Sequence, residues 1–129
     1  MSWVITGSEK TPVDKQGIQN VSLLLHGNGT NGSTTITDSS PTPKTVTAVG
    51  NAQISTAQSK FGGASIAFDG TGDYATVPSA SAFDFGTADF TVEAWVYRNN
   101  SDNIALFSIK RNVVAGRADK DLLILPRLL

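Results

Sequence analysis

The sequence predicts an all-β fold, and three observations carry that prediction. Residues 89–97 alternate strictly: Phe90, Val92, Ala94 and Val96 fall on one side, and Thr91, Glu93, Trp95 and Tyr97 on the other. Successive side chains of a strand point to opposite faces, so this is the pattern of a strand with one face in a core. Short apolar runs are punctuated by Gly, Pro, Asn and Ser clusters roughly every 8–12 residues, the spacing of a sandwich or barrel. No segment sustains the 3.6-residue period of an amphipathic helix. With 129 residues, one domain is expected.

In chain order, residues 1–19 read as an N-terminal arm with one apolar piece, Trp3-Val4-Ile5, and Trp3 as its candidate docking anchor. The body spans 20–110. Its first strand is 20–26, too short for a helix and ended by glycines. Residues 27–43 are a loop rich in Gly, Asn, Thr and Ser, closed by Pro41 and Pro43. Short strands occupy 44–49 and 51–55. Residues 64–69 and 73–77 flank Gly70-Thr71-Gly72 and read as a hairpin, and Pro78 ends its second strand. After the alternating strand 89–97 comes 103–109, where Ile104 and Leu106 face one way and Ala105, Phe107 and Ile109 the other, so both faces need cover. Residues 111–129 form a tail, polar and charged to 121, then Leu122-Leu123-Ile124-Leu125. An apolar tail calls for cover, either as a last strand in the sheet or docked on a neighbouring subunit.

Composition narrows the function classes. Charged residues are 16%, well below the roughly 25% of an average domain. The net charge is −1, which gives no general attraction to nucleic acid. The charge is uneven, with a net of −4 over residues 1–97 and +3 over 98–129. There is no cysteine, so disulfides and thiolate metal sites are excluded. No run approaches the roughly 18 apolar residues of a membrane helix. The N-terminus carries no basic region ahead of a long apolar run, so synthesis in a cytoplasm is expected, with release by lysis or within a particle.

Three blocks make the sequence familiar. They are Ser22-Leu-Leu-Leu-His26 with Gly27–Ser33 and Asp38-Ser-Ser40; Ala52–Ser65 with Phe68-Asp-Gly-Thr-Gly-Asp-Tyr74; and Phe83-Asp-Phe-Gly86 with Asp89–Val96. In content and order they resemble the concanavalin A-like, laminin-G-like jelly-roll domains of bacteriophage and bacterial surface proteins. The resemblance implies an antiparallel jelly-roll-like β-sandwich, with members that bind glycans or proteins, sometimes with calcium. It covers the first half of the domain only. After Lys110 no counterpart of the second half is found, so the fold is expected to be shortened. The missing cover is then expected from the arm, the Leu-rich tail or other copies in an obligate homo-oligomer such as a trimer.

Individual motifs have plainer roles to compete with. Gly27-Asn-Gly29-Thr-Asn-Gly32 fits a dinucleotide fingerprint, but the polar run Ser33–Pro41 after it does not read as a helix, and such a site needs a helix N-terminus. His26, the one histidine, has no nucleophile elbow to serve. Glu93 has no identifiable carboxylate partner for glycoside hydrolysis. No enzymatic activity is expected. Asp69 and Asp73 are candidate calcium ligands, with Asp38 in another loop, although Asp side chains also brace turns through backbone amides. Trp95 and Tyr97, beside Glu93 and Arg98, read first as a second core face of a two-sheet fold or a subunit interface, and alternatively as a ligand surface. Trp3, Phe107, Leu122, Leu123, Ile124 and Leu125 complete the candidate interface set. The sequons at Asn20, Asn28, Asn31 and Asn99 reflect composition alone.

The expected protein is therefore a non-enzymatic virion structural protein, such as a bacteriophage capsid-decoration or tail-associated protein. It would assemble with itself and other virion proteins through apolar and strand contacts. The alternative is a carbohydrate-binding adhesin that recognises a cell-surface glycan. Neither reading involves nucleic acid or a membrane.

Overall fold

Val21, Leu23 and Leu25 are buried while Ser22 and Leu24 are half-buried, so the apolar run after Asn20 behaves as a strand with a core face. The computed structural model describes residues 2–7, 19–99, 104–114 and 117–128, with side chains at 19–99, 106–108 and 124. It is an all-β chain. The described strands are β1 (Ser2–Gly7), β2 (Val21–Leu25), β3 (Thr35–Ile36), β4 (Val46–Val49), β5 (Gln53–Ser55), β6 (Ser65–Ala67), β7 (Tyr74–Val77), β8 (Phe90–Trp95), β9 (Ile104–Val114) and β10 (Arg117–Leu128). One 3₁₀ turn, Ser81–Phe83, interrupts them.

The strands form three antiparallel sheets, ordered β2-β1-β8, β3-β4-β7-β10-β9 and β5-β6. All three sheets feed one core. Leu23, Leu25, Ile54, Val77, Phe83 and Ile124 are its largest fully buried side chains. Burying each such side chain contributes about 1.5–3 kcal/mol. Val92, Ala94, Leu106 and Phe107 pack on its margin half-buried.

Three expectations need correction. The segment read as an arm supplies β1, the middle strand of the three-stranded sheet, where Trp3 pairs in register with Leu25 on one side and Ala94 on the other. Trp3-Val4-Ile5 is β-prone, and β2 and β8 both offer it ladder hydrogen bonds. Second, the expected break after Lys110 falls inside β9; the rest of the tail is β10, paired with both β7 and β9, the first of the two arrangements expected for it. Ile124 sits opposite Ala75 and Phe107 there and is 1% exposed. The β9–β10 register shifts between Ile124 and Arg127, where Pro126 has no N–H for the ladder.

Third, the strands around Gly70-Thr71-Gly72 do not pair with each other. β7 pairs with β4, and β6 with β5. Val49↔Tyr74 and Gln53↔Ala67 are successive rungs of one long ribbon, interrupted by residues 50–52 on one side and 68–73 on the other. Side-chain carboxylates, rather than a two-strand ladder, hold that interruption together. The long loop 27–43 likewise contains β3 and a bridge between Leu25 and Asp38.

Candidate functional site

Two buried carboxylates show how the loops are set. The Asp73 carboxylate is 3% exposed; Oδ1 accepts the Asn51 N–H and Oδ2 accepts the Asp69 N–H at 2.7 Å. It thereby staples both sides of the ribbon interruption. Gly50 has φ +72°, and a Cβ there would collide with this carboxylate. Asp69 is exposed; its oxygens accept Asn51 Nδ2–H at 2.8 Å and the Thr71 N–H at 2.7 Å. The Asn51 amide first, and the Thr71 N–H next, hold its carboxyl below the ordinary value. The pair named as candidate calcium ligands thus has all four oxygens on N–H donors, the arrangement of a turn brace. No group of three or more His, Cys, Asp or Glu suited to a metal occurs among the described residues.

Asp38 has the same role elsewhere. Oδ1 accepts from Leu24 N–H at 3.0 Å and Ser40 N–H at 2.9 Å, and Oδ2 from Ser40 Oγ–H at 2.9 Å and Lys44 N–H at 2.8 Å. The Lys44 ammonium lies 4.0 Å from Oδ2. This ties β2 to the β3–β4 segment.

The surface of β8 is different in kind. Val92 and Ala94 turn toward the core, and Thr91, Glu93 and Trp95 are exposed, as the alternation predicts. Phe90 departs from it: 46% exposed, its ring stacks on Phe85 at 4.6 Å and 12°. Trp95 is 55% and Tyr97 69% exposed. The β5–β6 loop meets them. Phe61, 62% exposed, stands edge-on to Trp95 at 6.0 Å and 78°. The Lys60 ammonium lies 4.9 Å from the Trp95 ring centroid and 6.0 Å from that of Phe61. Between loop and strand is a hollow of about 170 Å³ lined by Gln58, Ser59, Lys60, Ser65, Trp95, Val96 and Tyr97.

The loop is held from both ends. Ser65 Oγ donates to the Gln58 carbonyl at 2.7 Å, and Asn31 Oδ1 accepts the Thr56 N–H at 3.0 Å. Gly62 has φ +69° and lies so close to Asn28 that a Cβ there would strike its amide. A wider hollow of about 480 Å³ lies beside Asn51, Gln53 and Asp69, but its aromatic lining residue, Phe68, packs on the core. Exposed rings for stacking are at the Trp95 hollow.

Of the residues singled out from sequence, Trp95 and Tyr97 come together here. Ile124 belongs to the core, and Phe107 packs half-buried against it. The side chains of Trp3, Leu122, Leu123 and Leu125 lie outside those described. Lys60 and Phe61 escape sequence reasoning, because a polar loop with one phenylalanine carries no periodic signal. No protein-family model matches the chain, and no curated protein or solved structure matches it. No helix among the described residues is long and apolar enough to cross a membrane.

Proposed function

We propose that this chain is a non-enzymatic recognition module, a shortened jelly-roll-like β-sandwich, that binds carbohydrate through the surface of Trp95, Tyr97 and Phe61. The observation that carries the reading is the set of three rings, each more than half exposed, beside a small hollow with amide, hydroxyl and ammonium groups. Exposed aromatic clusters mark contact surfaces. A sugar presents an apolar C–H face to a ring and hydroxyls to polar neighbours, which suits this mixture. The resemblance supports the same class and suggests a setting on a bacteriophage particle. A broad glycan array tests the reading: binding that Trp95→Ala removes is expected, and silence across the array contradicts it.

The second reading is assembly as a virion structural protein, capsid-decorating or tail-associated. It is favoured by β9, an 11-residue strand at the edge of the five-stranded sheet. An edge of that length is a template for pairing with another chain. Light scattering behind a sizing column is expected to give a trimer or another multiple of the chain mass. A monodisperse monomer contradicts this reading and leaves the first intact.

A further inference from the structure

We propose that the Trp95 hollow selects acidic carbohydrate, a chain bearing uronate carboxylates; this deepens the carbohydrate reading and rests on it. Lys60 is the single charged residue among the described residues that line the hollow. Its ammonium is drawn over the Trp95 indole, 4.9 Å from the ring centroid. A cation–π contact biases the ammonium toward the ring while the N–H donors that face away from it can still reach a ligand. No described carboxylate stands within ion-pair distance of it. Glu93, exposed on the same strand face as Trp95, is absent from the hollow's lining. The site therefore offers an anion a pre-positioned, unneutralised cation.

The surroundings specify the rest of the ligand. Tyr97 is 69% exposed and presents an open ring for the apolar face of a sugar. The Gln58 amide and Ser59 hydroxyl are donors and acceptors for hydroxyl groups. A uronate-bearing oligosaccharide supplies an apolar ring face, hydroxyls and a carboxylate within one or two residues. An acidic peptide supplies the carboxylate without the polyol.

The test titrates the full chain with a galacturonate oligosaccharide and with the same oligosaccharide after reduction of its carboxyls to neutral alcohols. The acidic form is expected to bind about tenfold more tightly, the effect of one charge-assisted hydrogen bond, and the preference to shrink as salt rises. Lys60→Gln is expected to abolish the preference for the acidic form, and Lys60→Arg to keep it. Equal affinity for the two forms overturns the proposal, as does a preference unchanged in Lys60→Gln. Tighter binding of a poly-glutamate peptide than of the acidic sugar also overturns it. Binding of the neutral form alone refutes the acidic preference and leaves the carbohydrate reading standing, whereas failure of both forms together with a silent glycan array removes that reading as well.

Discussion

Asp73 and Asp38 accept backbone N–H groups from distant segments while buried, and each removal leaves amides without an acceptor. Asp73→Ala is expected to lose about 2–3 kcal/mol, because hydrogen bonds to charged groups contribute about 1.5–3 kcal/mol and unsatisfied buried donors add to the loss. Urea denaturation checks this: the midpoint should fall with an unchanged slope. Asp69 gives a pH signature without a large energy. Its folded pKa is depressed, so its contribution is complete above the ordinary value of 3.8 and lost as pH falls through the lower folded value. In Asn51→Ala the Asp69 carboxyl should titrate closer to 3.8, read from its side-chain carbon shift in NMR. At this scale the sequence is partly legible. Asp residues around Gly-Thr-Gly announce a turn, but nothing local tells that Asp73 reaches Asn51, since that contact depends on how the ribbon pairs.

The elements show where periodicity informs and where it does not. Strand β8 is legible because one face meets the core and the other meets solvent. Strands β9 and β10 are harder: 111–121 is polar, and pairing within a hairpin needs no apolar alternation. The arm hides its strand because six residues between two partners have little sequence of their own to display. Since Ile124 lies in the core opposite Ala75 and Phe107, deletion of 122–129 is expected to unfold the chain rather than merely disassemble it. Ile124→Ala should cost about 2–5 kcal/mol, the range for truncating a core aliphatic residue. Circular dichroism and thermal melting distinguish these outcomes from a folded, disassembled chain. In the β5–β6 loop, Gly62→Ala should displace Asn28 and with it the segment carrying Lys60 and Phe61, weakening carbohydrate binding more than stability.

Across the whole molecule, a modest core drawn from three small sheets positions one loop against one strand, and there the exposed rings gather. The all-β class is legible from turn spacing and alternation. Half of the site is legible too, as Trp95 and Tyr97 share a face in the alternating segment. The other half comes from a loop more than thirty residues earlier in the chain, and only the paired sheets bring it near. The central claim is that this surface binds carbohydrate. The most direct measurement uses the two indole N–H signals of Trp3 and Trp95 in a ¹H–¹⁵N NMR titration with an oligosaccharide selected from the array. Assignment comes from Trp95→Phe. A saturable shift of the Trp95 signal is the expected result. Saturable binding that leaves the Trp95 signal in place would contradict the account.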